Sequence, residues 1–142
     1  MDVTVNGLRL MVREHGKAGG QTLLLVHGFP LDSRMWCEQL TGLAGRARVI
    51  APDLRGHGLS DTPQEPHSME QHADDLAALL DHLGVKKAIV AGLSMGGYVT
   101  LAFWRRNPER VAGLALVDTR AEPDTPAGKA SRDVTAGRVR EA

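Results

Sequence analysis

Ser94 has the sequence context of a catalytic nucleophile. It is the central residue of a G-x-S-x-G pattern at residues 92–96, and the apolar run at residues 88–91 precedes it. A serine on a sharp turn between a buried strand and a helix is lifted above the sheet. The free N–H groups of the following helix point at any oxyanion that forms nearby. The pattern therefore predicts acyl transfer by Ser94, and the alternative is a glycine-rich turn that only packs closely.

Glycines stand two residues before and two residues after Ser94. Side chains at Gly92 and Gly96 would collide in such a turn, so both positions are expected to need glycine. We predict that Ser94 has an unusual backbone conformation and lies outside any regular element.

A second candidate group is the sequence His27-Gly28-Phe29-Pro30, which directly follows an apolar run at residues 23–26. Where a strand–turn–helix carries a nucleophilic serine, the loop after such a neighbouring strand supplies a backbone N–H to the oxyanion. Gly28 would allow a close approach of the backbone, and Phe29 would offer its amide. His27 lies at the corner of strand and loop, so we expect it to bond loop backbone rather than act in catalysis.

The elements that position these groups are predicted to be alternating strands and helices. Asn6-Gly7 between two short apolar runs is typical of a hairpin with a type I′ turn. Continuous apolar runs bounded by Gly or Pro predict buried strands, and the alternation implies right-handed crossovers and a mostly parallel sheet. The expected strands are residues 3–5, 8–12, 21–26, 48–51, 88–91 and 111–117. The expected helices are one capped by Ser33, one from a Ser68/Gln71 capping box to Gly84, and residues 95–107.

Side chains on the two longer helices are assigned to solvent or to the core. Glu70, Asp74 and Asp75 are expected to form a solvated helix face rather than a metal site. Phe103 and Trp104 follow the Ser94 turn on its helix, and both are expected in the core.

Three motifs together resemble the α/β-hydrolase family. They are HGFP at residues 27–30, DLRGHGLSD at residues 53–61 and GLSMGG at residues 92–97, and they occur in the family's order. The resemblance covers roughly residues 8 to 120. It implies an α/β fold, with a mostly parallel sheet and flanking helices, that lacks the family's C-terminal strands.

The resemblance also implies roles for individual residues. Ser94 corresponds to the nucleophile, and the amides of Phe29 and Met95 correspond to the oxyanion hole. The motifs are most similar to those of small serine esterases, enol-lactonases and cofactor-free perhydrolases. A serine at this turn argues against haloalkane dehalogenases, which have an aspartate there.

The family's acid and base normally follow its seventh and eighth strands. Asp118, at the end of the last predicted strand, is a candidate acid, and the alternative is an aspartate that caps the next turn. None of the six histidines follows Ser94. His57 lies in the long loop at residues 52–68, where a structural or solvent role is expected. Because a serine without a positioned base is a weak nucleophile, we expect the chain to hydrolyse activated esters poorly.

The composition argues against several functions. Seventeen basic and seventeen acidic residues give no net charge, and five aromatic residues are too few for base stacking, so we expect no nucleic-acid partner. No apolar run approaches the ~20 residues of a membrane span. The lone Cys37 excludes an internal disulfide and indicates a reducing, cytoplasmic location. No Walker or zinc spacing is present, so neither a cofactor nor a metal is expected.

The composition changes after Asp118. Residues 1–118 are predicted to be the N-terminal half of a hydrolase core, and residues 119–142 a tail or the start of a cap. The strand at residues 111–117 is apolar on both faces, and its unpaired outer edge is expected to bind a second copy or a complementing C-terminal fragment. The alternative is that the tail folds back and seals this edge. The predicted function is a serine hydrolase of small ester, lactone or similar acyl substrates. The alternative is a truncated, non-catalytic half-domain that binds a partner or ligand.

Overall fold

Strands and helices alternate along the chain, as the sequence predicts. A computed structural model describes residues 1–17 and 19–140. Within these ranges the strands are β1 (Asp2–Val5), β2 (Leu8–His15), β3 (Thr22–Val26), β4 (Arg48–Pro52), β5 (Ala88–Leu93) and β6 (Val111–Val117). The α-helices are α1 (Cys37–Leu43), α2 (Met69–His82), α3 (Met95–Arg106) and α4 (Pro126–Arg140), and short 3₁₀ turns occupy Ser33–Trp36 and Pro108–Arg110.

The strands form one sheet in the order β1-β2-β4-β3-β5-β6. The hairpin of β1 and β2 is antiparallel, and its turn has φ 51° at Asn6 and φ 73° at Gly7, as a type I′ turn requires. β2 pairs antiparallel with β4, whereas β4, β3, β5 and β6 run parallel. Val26 pairs with Gly92 at the ends of β3 and β5. This register places the loop after β3 beside the turn after β5.

Capping residues mark where the helical segments begin and end. Ser68 and Gln71 form the predicted capping box on α2, and Gly84 follows the helix with φ 66°. The predicted cap at Ser33 is wrong, because Asp32 accepts the Arg34 N–H and caps that turn. Ser33 lies inside the turn, where its hydroxyl accepts a hydrogen bond from Arg13. The acidic residue one position earlier has the extended backbone that a cap needs.

Helices cover the two faces of the sheet. α2 and α3 pack on one face around a large apolar cluster, and α1 packs on the other. Phe103 is fully buried in the larger cluster, as predicted. Trp104 is 46% exposed, so its predicted place in the core is wrong. Adjacent helical residues point about 100° apart, so only one of the two faces the sheet.

β6 forms the edge of the sheet. Among the described residues it pairs with β5 alone, which agrees with the predicted free outer edge. Leu114, Leu116 and Val117 are exposed along it. Beyond β6, the Thr125 hydroxyl accepts the Gly128 N–H at the start of α4. No helix within the described ranges is long and apolar enough to cross a bilayer.

Candidate active site

Ser94 occupies a strained turn between β5 and α3. Its φ is 50° and its ψ is −112°, outside both helical and extended regions, so the predicted unusual backbone is confirmed. The residue is exposed, and its hydroxyl does not cap α3. Within the described ranges, no side chain forms a hydrogen bond with that hydroxyl. The hydroxyl therefore lies exposed at the carboxyl end of β5.

The glycines around Ser94 fit the close packing of the turn. A Cβ at Gly92 would overlap the carbonyl group of Gly96. A Cβ at Gly96 would overlap the carbonyl oxygens of Val26 and His27. Backbone atoms cannot move aside as a flexible side chain can, so both positions require glycine, as predicted.

The loop after β3 lies directly against this turn. A Cβ at Gly28 would lie 3.1 Å from the Leu93 carbonyl oxygen and 3.4 Å from the Cβ of Ser94. Phe29, next in the chain, is 53% exposed. The first N–H groups of α3, including that of Met95, have no partner within the helix. Phe29 and Met95 thus remain the predicted oxyanion donors.

His27 holds the loop after β3 in place through hydrogen bonds to backbone. Its ring is fully buried, and its Nε2 accepts the Leu54 N–H at 3.0 Å. Its Nδ1 therefore carries the proton and donates to the Gly28 carbonyl at 3.1 Å. Burial lowers the pKa of His27. The predicted structural role is confirmed, since both ring nitrogens bond backbone.

The long loop after β4 is held by the buried Asp53. This carboxylate accepts the Ser33 N–H at 2.8 Å and the Leu59 N–H at 2.9 Å. Gly58 has φ 55°, and a Cβ there would overlap the Asp53 carboxylate. Asp53 therefore fixes the loop against the 3₁₀ turn that follows the candidate oxyanion loop.

Asp75 does not belong to a solvated face, so that prediction is wrong. It is 2% exposed and accepts two hydrogen bonds from Arg55, at 2.6 and 2.7 Å, and one from Asn6 at 2.9 Å. Glu70 and Asp74, in contrast, form exposed ion pairs with arginines of α3. The available signal is the helical period, because Asp75 lies three residues after the buried His72 and four before the buried Leu79.

The end of β6 holds the backbone of Ser94 on both sides. The Ser94 N–H donates to the Val117 carbonyl at 3.0 Å, and the Thr119 hydroxyl donates to the Ser94 carbonyl at 2.8 Å. The absence of a side chain at Gly97 leaves room for Thr119, since a Cβ there would overlap the Thr119 side chain. Sequence reasoning missed Thr119, and no local pattern marks it.

Asp118 makes the turn between Val117 and Thr119. It has φ 42° and its side chain is exposed. Within the described ranges, its carboxylate forms no ion pair with a histidine. Its role as the catalytic acid therefore stays a prediction. The described residues also contain no group of three His, Cys, Asp or Glu that could hold a metal ion.

We expect Thr119→Val to position the backbone of Ser94 less firmly and thereby to lower the reactivity of Ser94, without unfolding the protein. The substitution keeps the shape and removes one hydrogen bond, worth about 1 kcal/mol. Reaction of Ser94 with a fluorophosphonate should slow by roughly three- to tenfold. Thr119→Ser, which keeps the hydroxyl, should react like the wild type. Thr135→Val removes an exposed hydroxyl on α4 and is the matched control. Equal rates in all four proteins would argue against the role of Thr119.

Known proteins share the fold of this chain. A family model of the alpha/beta hydrolase fold matches residues 21–137. A thermophilic esterase from Thermogutta terrifontis superposes with a TM-score of 0.89 and 48% identity, over 98% of this chain and 51% of the esterase. The enol-lactonase from Burkholderia xenovorans LB400 gives a TM-score of 0.87 and 33% identity, over 96% of this chain and 53% of the enzyme.

Relatives by sequence are more varied in activity. The dihydrolipoyllysine-residue acetyltransferase component of the acetoin cleaving system of Pseudomonas putida is 43% identical over 113 residues, which are 80% of this chain and 30% of that protein. Epoxide hydrolases are also among the relatives. The chain thus spans between 30% and 53% of the length of the three proteins compared in detail.

The family match begins just before β3 and continues into α4. It therefore includes the loop after β3, the long loop and the turn at Ser94. The two superposed enzymes share the fold over 98% and 96% of this chain. This chain belongs to the alpha/beta hydrolase fold family.

Proposed function

We propose that this chain carries the nucleophile of a serine hydrolase that acts on small esters, lactones or similar acyl compounds. The observation that carries the proposal is the geometry of Ser94. Its φ is 50°, the residue is exposed, and its hydroxyl has no side-chain hydrogen-bond partner among the described residues. Strain of this kind persists where the surrounding structure enforces it, and it is concentrated at functional sites.

In the proposed reaction, the Ser94 oxygen attacks the substrate carbonyl carbon. The carbonyl oxygen becomes an oxyanion that accepts hydrogen bonds from the amides of Phe29 and Met95. Collapse of this intermediate breaks the carbonyl C–O bond and leaves the acyl group on Ser94, and the proton taken from Ser94 passes to the alcohol oxygen. The alcohol departs from an ester and stays attached to the acyl chain from a lactone, and water then frees the acid. The loop after β3, which carries Phe29 and is called the Phe29 loop below, lies close enough to Ser94 for this role. A Cβ at Gly28 would lie 3.4 Å from the Cβ of Ser94.

The base that takes the Ser94 proton is proposed to be a histidine outside these 142 residues. All six histidines precede Ser94. Among the described residues, none bonds its hydroxyl. This chain would then supply the nucleophile and the oxyanion hole, and the rest of a longer enzyme would supply the base and the acid.

The second candidate is a non-catalytic half-domain that binds a partner or ligand. The lack of a basic partner for the Ser94 hydroxyl among the described residues favours it. The two candidates differ in one respect, which is whether the hydroxyl of Ser94 reacts with an electrophile faster than an ordinary surface serine.

A fluorophosphonate probe tests this difference. We expect a slow adduct on Ser94 alone, located by peptide mass spectrometry, because the oxyanion hole stabilises a phosphonyl oxygen even without the proposed external base. Ser94→Ala should abolish the adduct. Ser131→Ala, which removes an exposed serine of α4, should label like the wild type. Absence of a Ser94 adduct, or labelling spread over several serines, would favour the non-catalytic candidate.

A further inference from the structure

Four of the six histidines form a continuous array beneath the Phe29 loop. His27 follows β3, His57 and His67 lie in the long loop, and His72 is on α2. The ring centroids of His27 and His57 are 5.1 Å apart, those of His57 and His72 are 6.4 Å apart, and those of His72 and His67 are 6.0 Å apart. We call these four residues the histidine array.

The array also contacts the proposed oxyanion loop. The ring of His57 stands edge-on to the ring of Phe29, with centroids 6.1 Å apart. The Nδ1 of His57 donates to the Arg55 carbonyl at 3.0 Å. His57 therefore connects the long loop to Phe29 through one ring.

The two inner members of the array, His27 and His72, are in surroundings that disfavour a positive charge. His27 accepts the Leu54 N–H through Nε2, which a protonated ring cannot do. His72 is 3% exposed, and its Nδ1 is buried without a hydrogen-bond partner among the described residues. A proton on either ring would place a cation in the interior.

The charged groups around the array give little compensation. Those facing it are Asp32 and Asp53 near His27, and Arg55 and Asp75 near His67 and His72. The Asp75 carboxylate is already bound by Arg55 through two hydrogen bonds. Burial, His57, His67 and Arg55 lower the pKa of His72 to about 4, and burial lowers the pKa of His67.

We propose that the histidine array positions the Phe29 loop against the Ser94 turn while its rings are neutral, and that protonation of the array opens the long loop and frees Phe29. The array is thus a proton-sensitive support of the site. Its effect on catalysis rests on the proposed function, whereas its effect on the loops does not.

The direction of the pH effect follows from linkage. The pKa of His72 lies below the ordinary 6.5 in the closed form, so the opened form binds more protons between pH 6.5 and about pH 4. The closed form is fully favoured above pH 6.5 and loses stability as the pH falls through this window. One proton taken up by His72 raises the opening constant by up to about tenfold per pH unit, which amounts to about 40-fold from pH 6.5 to 4.5.

Hydrogen exchange on the full chain measures this opening directly. We expect amides of residues 54–61 to lose protection by about 40-fold from pH 6.5 to 4.5, after correction for intrinsic exchange. Amides in the centre of β5 report global unfolding, which also exposes His72, and they should stay better protected than residues 54–61 at every pH. His72→Leu cannot take up the proton and should flatten the pH dependence. His82→Asn removes an exposed histidine at the end of the same helix and is the matched control.

Two further measurements keep the proposal testable if His72→Leu folds poorly. His67→Phe keeps an edge-to-face ring contact without a titratable group, and it should also reduce the pH dependence. Ring titration by NMR should place the pKa of His72 well below its ordinary value of 6.5. The proposal is overturned if opening does not depend on pH, if the variants titrate like the wild type, or if His72 titrates at its ordinary pKa. Ser94→Ala should give wild-type exchange, so failure of the proposed nucleophile would leave this test intact.

Discussion

Gly96→Ala is expected to remove about 3 kcal/mol or more from the free energy of unfolding. The added methyl group would overlap the carbonyl oxygens of Val26 and His27. These oxygens belong to the end of β3 and to the loop that follows it, so relief would require moving the strand or the Ser94 turn. Urea unfolding followed by circular dichroism measures the loss.

Gly42→Ala is the control for this prediction. Gly42 lies in α1, and a Cβ there would meet nothing within 4 Å. Alanine should therefore leave stability unchanged or raise it by up to about 1 kcal/mol, because glycine is a poor helix former. Equal unfolding midpoints for the two variants would contradict the close packing described at Gly96.

Asp75→Ala is expected to cost about 3–5 kcal/mol of unfolding free energy. The substitution leaves the guanidinium of Arg55, whose side chain is 12% exposed, buried without its carboxylate. It also removes the acceptor of the Asn6 side-chain amide, so the tip of the β1–β2 hairpin loses its contact with α2. Urea unfolding of the variant measures the cost.

The neighbouring Asp74 provides a matched comparison on the same helix. Asp74 pairs with Arg106, and both side chains are 46% exposed. Asp74→Ala should cost no more than about 1 kcal/mol, since exposed ion pairs contribute little. Similar losses in Asp74→Ala and Asp75→Ala would show that burial of the Arg55–Asp75 pair has no energetic weight.

Features encoded by neighbouring residues were predictable from the sequence. The turn at Asn6-Gly7, the Ser68/Gln71 capping box and the glycines around Ser94 each depend on a few consecutive residues. The corresponding structures are confirmed because local backbone geometry decides them. The apolar runs also predicted the strands, although β2 extends to His15 through its pairing with β4.

Features that depend on long-range packing were not predictable in this way. Thr119 is 25 residues from Ser94, and Asn6 is 69 residues from Asp75. The helical period places Asp75 on the buried side of α2, but its partners Arg55 and Asn6 meet it only after the sheet and the long loop have formed. The histidine array brings together residues from three separate segments, and no spacing in the sequence marks it.

The free edge of β6 has a consequence for the nucleophile. The last residue of the same strand, Val117, accepts the N–H of Ser94, so one strand connects the open edge with the proposed reactive serine. A further strand that pairs with β6 would order this backbone and thereby favour the reactive geometry. Binding at two linked places is reciprocal. A non-covalent ligand at Ser94 that prefers the ordered backbone would therefore raise the affinity of β6 for that strand by the same factor.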